Sequence, residues 1–363
     1  MVNLAQGLKE SGAAVHIVVY HPQYNFYEAQ LLENGIELIK LDKSRLGSLK
    51  IIKLIRNYIV DLQINGVIAF LSTPSIYAEI ASIGLPGLCT IAGERNHYSG
   101  DKSIFSGVVK RFFHVFADYV VANSISQTEF LKRLPFLKSK SLTIYNGYKS
   151  LDSQKVADIR DLNNKRMRIL VVGRIASQKN GLLIIQALKN IKIKGYIVPV
   201  ISWVGRRTPT PAPGSYQDLM ERAINSEGFD TDTWEWLGER EDVGDLMATF
   251  DCLLLASKYE GLPNVICEAF RVGLPVIASD VCDNTILIGN RERGLVFEAD
   301  NSNDLCKKIV EFQTLDCSRR KEMSRNAQQY FDENLKIELM VNNYLKLLGS
   351  KHRNIPLSTH ASG

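Results

Sequence analysis

The chain has 363 residues, 45% of them hydrophobic and 23% charged, with a formal net charge of +5 at pH 7. That balance is globular and excludes a disordered polar chain. No apolar run approaches the ~20 residues that a membrane-spanning helix needs, and no signal peptide is visible. The length suits two domains of ordinary size.

Read in chain order, Met1–Lys9 has the pattern of the inside of an amphipathic helix, not of a chain start. Apolar runs at Val15–Tyr20, Ile36–Leu41, Gly66–Leu71, Leu88–Ala92, Tyr119–Ala122 and Leu142–Tyr145 read as buried parallel strands. Helical patterns lie between most of them, as in 48–60 and 124–134. Asn146-Gly147 reads as a turn with φ > 0 at the glycine. The polar stretch 149–166 then reads as a linker between a first domain, 1–148, and a second, 167–334. In the second domain the order repeats, with strands near 167–173, 198–204, 234–237, 252–257, 275–279 and 294–298. The stretch 335–348, with Leu335, Leu339, Val341, Leu345 and Leu348, reads as one more helix, and 349–363 as a tail. Alternation of this kind gives two doubly wound, Rossmann-like α/β domains, whose ligands bind at the carboxyl ends of the strands. Cysteines 89, 252, 267, 282, 306 and 317 include no C-x2-C pair and read as reduced thiols in a cytosolic protein with no metal site.

Two strand ends carry chemistry. The apolar strand Cys252–Ser257 runs into Glu260-Gly261-Leu262-Pro263-Asn264-Val265-Ile266-Cys267-Glu268. A strand that breaks at Gly-Leu-Pro-Asn and restarts as a helix leaves backbone N–H groups at the helix N-terminus, which favour an anion or a ring of hydroxyls. Glu268 lies about one turn into that helix, so Glu260 and Glu268 approach one ligand from two directions. Alone, E-x7-E is as consistent with two solvated glutamates. The strand Arg168–Val172 ends in Gly173-Arg174, with Lys179 five residues on. Arg offers a planar fork and Lys a point charge, a pair suited to a diphosphate.

Taken together, G-R-x4-K, then Leu237-Gly238-Glu239-Arg240-Glu241-Asp242-Val243, then E-G-L-P-N-x3-E resemble in order and spacing the C-terminal domain of retaining GT-B glycosyltransferases of family 4. The resemblance is strong from Arg168 to Val296 and looser before it. It implies a GT-B fold of two Rossmann-like domains, the first acceptor-side and the second donor-binding, with 335–348 crossing back onto the first. Arg174 and Lys179 would stabilise the leaving diphosphate, and Glu268 would bind the ribose hydroxyls. Glu260 and the backbone of Gly261–Asn264, including Leu262 and Pro263, would address the donor sugar. Gly173 would turn beside the phosphates, and Glu239–Arg240 would hold the base edge. No metal or cofactor is implied beyond the nucleotide-sugar co-substrate, and the family is described as reacting on one face of the sugar with a diphosphate oxygen as base. The string Asp230-Thr231-Asp232 has the form that holds a divalent ion in GT-A glycosyltransferases, but sits in a polar loop and reads as plain loop.

In the family, a strand and a Gly-rich turn precede the helix that Met1–Lys9 resembles, so the first domain is expected to be N-terminally truncated, with two unpaired sheet edges. Many family members place a His near the end of the strand that closes here with Ala92-Gly93; Arg95 or His97, with Asn96 between them, would fill that place. Ile104–Phe116 combines apolar bulk with cations and reads as a contact with an inner-membrane surface or as a core helix with snorkelling Lys110 and Arg111. Residues 1–148 carry a net +4 and the remainder +1.

The function expected is transfer of a sugar from a nucleoside diphosphate, UDP for preference, to a hydroxyl of a glycan or lipid-linked acceptor in cell-surface polysaccharide assembly. The setting is cytoplasmic, with membrane association as an option and no nucleic acid as partner. The alternatives are an inactive, truncated nucleotide-sugar-binding protein and a nucleotide-sugar 2-epimerase of the same fold.

Overall fold

The computed structural model describes residues 1–23, 27–95, 111–150, 156–159, 161–162 and 165–350. It divides into two compact units, Met1–Tyr148 with the chain from Lys336 onward, and Lys149–Leu335.

In the first unit, β1 (His16–Val19) and β2 (Glu37–Lys40) form a two-stranded parallel sheet. A separate parallel sheet has the order β3 (Gly66–Phe70), β4 (Cys89–Glu94), β5 (Tyr119–Ala122), β6 (Ser141–Thr143). Strand β4 is buried along its whole length, whereas β3, at the end of the sheet order, buries only Ala69. The helix Lys43–Asp61 begins earlier than its apolar repeat suggests, because the Asp42 side chain caps it by accepting from the Ser44 N–H at 2.9 Å. Gly47, at φ 72°, then kinks it.

The helix Ile337–Ser350 belongs to this unit and extends past the expected 335–348; Leu335 instead closes the preceding helix, Cys317–Asn334. It buries Met340, Val341, Tyr344 and Leu347 against Leu4, Leu8, Cys89, Ile91 and Val121. Two glycines permit that approach. A Cβ at Gly7 would lie 2.4 Å from Val341 Cγ2, and one at Gly147 would lie 2.6 Å from the Ile337 Cα. Gly147 is therefore required by close packing, and its φ is not positive, contrary to the turn expected from the sequence.

The second unit holds one six-stranded parallel sheet: β7 (Arg168–Val172), β8 (Val200–Val204), β9 (Trp234–Gly238), β10 (Cys252–Leu255), β11 (Val276–Ser279) and β12 (Gly294–Phe297). Its order is β12-β11-β10-β7-β8-β9. The chain runs outward from β7 through β8 and β9, then returns to the other side of β7 for β10, β11 and β12. Neighbouring β7 and β10 thus mark the point where the order reverses, and crevices at such points take ligands. The β-branched and leucine runs of these strands are buried on both faces, as helix-covered parallel sheets require.

Candidate active site

The site begins at that reversal. Strand β7 ends at Gly173, whose φ of 155° suits a residue without a side chain. A Cβ there would stand 2.8 Å from Lys179 Cε, so the missing side chain is what lets Lys179 lie across the turn. Two features from β8 fix the same turn from beneath. The fully buried Trp203 donates its indole N–H to the Gly173 carbonyl at 2.8 Å. A Cβ at Gly205 would sit 2.0 Å from that carbonyl oxygen, so Gly205 admits the approach. Arg174 follows, exposed and, among the described residues, without a hydrogen-bond or ion-pair partner.

From β10 comes the second half. Lys179 Nζ is 2.6 Å from Glu260 Oε1, with side chains 19% and 12% exposed. The buried Ser257 hydroxyl donates to the same oxygen at 2.7 Å, and Ser279 in turn donates to the Ser257 carbonyl at 2.7 Å. The two loops are also joined through backbone: the Lys258 N–H reaches the Gln178 carbonyl at 2.9 Å, and Gln178 Nε2 reaches the Tyr259 carbonyl at 3.0 Å. Thus G-R-x4-K and E-G-L-P-N, 81 residues apart, form one constellation at the carboxyl ends of β7 and β10.

Beyond it, Pro263 stands at the N-terminus of the helix Asn264–Arg271, with Asn264 exposed and Leu262 buried. The Cys282 thiol donates to the Gly261 carbonyl at 2.7 Å, so a third loop holds this turn. Glu268 is half-buried on that helix. Burial pushes its carboxyl pKa up, partly offset by the nearby Arg271 cation.

Other expected residues already have partners or stand exposed. Arg240 commits both arms of its guanidinium to Asp242, at 2.7 and 2.5 Å, and the neighbouring Glu239 is exposed at the end of β9. Asp230 caps its own loop, its Oδ1 accepting from the Asp232 N–H at 3.1 Å and the Thr233 hydroxyl at 3.3 Å. Among the described residues, no group of three or more His, Cys, Asp or Glu side chains is placed to hold a metal ion.

In the first unit, Asn96 and His97 lie outside the described residues. Arg95 is engaged internally: it bonds the Asn146 side chain, donates to the Tyr344 hydroxyl at 3.3 Å, and stacks 4.6 Å from the Phe70 ring centroid. Just before it, Glu94 belongs to a buried ionic cluster that the sequence did not reveal. His114 contacts Glu79 at 2.6 Å and Glu94 at 3.1 Å, Arg111 reaches Glu94 at 3.5 Å, and Gln127 donates to Glu94 at 3.3 Å. Arg111 is only 1% exposed, so it does not snorkel. Burial disfavours the His114 imidazolium, but bonds to Glu79 and Glu94 and the charges they carry outweigh it and raise its pKa to about 9. Burial likewise opposes the Glu94 carboxylate, and His114 with Arg111 overcomes it, so its pKa falls below the usual range.

The second unit is thus a doubly wound parallel sheet whose reversal point carries paired Lys and Glu beside an unpaired Arg. Residues 152–330 match the family described as glycosyl transferases group 1. The chain is 25% identical over 266 residues to the N,N'-diacetylbacillosaminyl-diphospho-undecaprenol alpha-1,3-N-acetylgalactosaminyltransferase of Campylobacter jejuni, covering 69% of this chain and 65% of that protein. It is 25% identical over 346 residues to a second protein of that organism, the GalNAc-alpha-(1->4)-GalNAc-alpha-(1->3)-diNAcBac-PP-undecaprenol alpha-1,4-N-acetyl-D-galactosaminyltransferase, covering 91% and 88%. Among solved structures, Anabaena HepE in complex with UDP and glucose superposes with a TM-score of 0.75 at 18% identity, over 96% of this chain and 94% of that one. Residues 152–330 belong to the glycosyl transferases group 1 family, and the chain is a glycosyltransferase of the GT-B fold. Enzymes of this kind use nucleotide-sugar donors without a metal cofactor.

Proposed function

We propose that this glycosyltransferase moves a sugar from a UDP-sugar, with retention, to a hydroxyl of a lipid-linked glycan during cell-surface polysaccharide assembly. The observation that carries the reading is the Lys179–Glu260 pair at the reversal point, with Arg174 unpaired beside it. The second unit is the donor-binding half and the first the acceptor-side half. Lys179 and Arg174 take the charge that develops on the leaving diphosphate, where fixed cations lower the barrier most. Glu260, held by Ser257 and released from Lys179 as phosphate arrives, addresses the sugar hydroxyls. Glu268 accepts from the ribose, and the Gly261–Asn264 backbone lines the sugar. In the reaction the bond from the anomeric carbon to the diphosphate oxygen breaks, and the acceptor oxygen bonds to that carbon on the same face. The acceptor proton passes to the leaving diphosphate oxygen. The two Campylobacter relatives, both named for undecaprenol-linked acceptors, support the acceptor class, and HepE with UDP and glucose supports the donor.

The test is incubation with a panel of UDP-sugars and a lipid-diphosphate-linked acceptor sugar, with the product linkage read by NMR. A glycoside of unchanged anomeric configuration is expected. An inverted product, or free 2-epimer formed without acceptor, would overturn the reading.

A further inference from the structure

The segment through the 3-10 turn Phe113–Phe116 has two faces of opposite character. Arg111 and His114 point inward and are buried in the ionic cluster. Phe112 and Phe116 point outward, 59% and 48% exposed, although a globular unit gains by burying such rings. Phe112 does not stand alone: its ring meets Phe136 edge-on at 5.8 Å between centroids. Lys140 ties the two stretches together, donating to the carbonyls of His114, Val115 and Ala117 at 3.3, 2.9 and 2.7 Å. The aromatic residues therefore share one surface, held from below by buried charge.

The stretch that supplies Phe136 to that surface is rich in cations. Phe130–Lys140 reads Phe-Leu-Lys-Arg-Leu-Pro-Phe-Leu-Lys-Ser-Lys, four cations and no acid. Lys132, Arg133 and Lys138 are exposed; the acid near them in sequence, Glu129, pairs with Lys132 at 3.0 Å at the surface. Aromatic rings set among lysines and arginines suit the boundary of an anionic bilayer, where rings enter the headgroup region and cations meet lipid phosphate. No helix among the described residues is long and apolar enough to cross a membrane.

We propose that Phe112, Phe116 and Phe136, with Lys132, Arg133 and Lys138, form a docking surface for an anionic phospholipid bilayer. It deepens the proposed function by bringing the enzyme to the surface where a lipid-linked acceptor lies, and rests on that reading only for its purpose. Binding itself needs neither donor nor acceptor.

The test is sedimentation of the full chain with vesicles of phosphatidylcholine alone or with about one third phosphatidylglycerol, at low and high salt. Binding to the phosphatidylglycerol vesicles is expected, and it should weaken as salt rises. Removing cations as Lys132→Gln, Arg133→Gln and Lys138→Gln should cost roughly fivefold in partitioning per cation. Phe112→Ser with Phe116→Ser should lower binding at both salt concentrations. All five positions are exposed, and unchanged hydrogen exchange of β4 and β5 verifies that the first unit of each variant is folded. Equal sedimentation with both vesicle types, or no loss in either variant, overturns the proposal. So does self-association in solution that the phenylalanine variant abolishes, which would assign the face to a second copy. Loss of transferase activity against every acceptor, with vesicle binding intact, would count against the proposed function and leave the docking surface standing.

Discussion

His114 is the clearest lever on the first unit. Its ring links Glu79, from the helix Ser72–Ser82, to Glu94 at the end of β4, with all three side chains buried. In the folded chain the pKa is about 9, against the ordinary 6.5 of the unfolded one. The folded value is the higher, so the stabilisation is fully present below about pH 6.5 and is lost as pH rises through 9. Linkage puts that loss at about 2 kcal/mol between pH 7 and 9, within an upper bound of about 3 kcal/mol. His114→Gln removes the cation and leaves two buried carboxylates facing Arg111 alone, which should cost about 3–5 kcal/mol at neutral pH. The assay is urea unfolding from pH 6 to 9.5, with hydrogen exchange of β4 and the helix Ser72–Ser82 to assign the transition to this unit, since two units need not unfold together. The variant should be much less stable at pH 7, and the gap to wild type should narrow by about 2 kcal/mol as pH rises to 9.5. A constant gap across the range would show that His114 is neutral in the fold and that the cluster is held by hydrogen bonds alone.

Other outcomes follow from the second unit. Glu268→Gln should weaken UDP binding by about 1–3 kcal/mol, because a charged acceptor makes the stronger bond to ribose. Glu260→Gln should instead lower turnover more than UDP affinity; calorimetry beside a transfer assay separates the two, and equal affinity losses would refute the division of roles. Gly173→Ala strains a backbone at φ 155° and drives a methyl to 2.8 Å from Lys179 Cε. It should weaken UDP binding about tenfold or more while moving thermal stability little, and unchanged affinity would show that Lys179 need not cross that turn.

What the sequence made legible was local. G-R-x4-K and E-G-L-P-N-x3-E each lie within one strand–turn–helix, so short-range spacing carried them, and apolar runs marked the twelve strands among the described residues within a few positions. What it hid was assembled from distant elements. Glu79, Glu94, Arg111, His114 and Gln127 come from separate elements and meet only in the fold, so Arg111 looked like a surface cation. Trp203 and Gly205 support Gly173 from 30 or so residues away, through a hydrogen bond and a missing Cβ that no pattern announces. Gly147 was misread because sequence does not distinguish a glycine needed for φ > 0 from one needed for close approach to Ile337. Arg240 is a cation that is already engaged. Its partner Asp242 lies two residues on, and an Arg-x-Asp in a turn is itself a signal that the fork is already engaged.

The central claim is that the reversal point between β7 and β10 binds a nucleoside diphosphate through Arg174 and Lys179. Calorimetry of UDP against wild type, Arg174→Ala, Lys179→Ala and the double variant measures it directly. Wild type should bind, each single variant should lose roughly 1.5–3 kcal/mol of affinity, as expected for a charge-assisted contact, and the double variant should show no measurable binding. Wild-type affinity in the double variant would contradict it and place the diphosphate elsewhere on the chain.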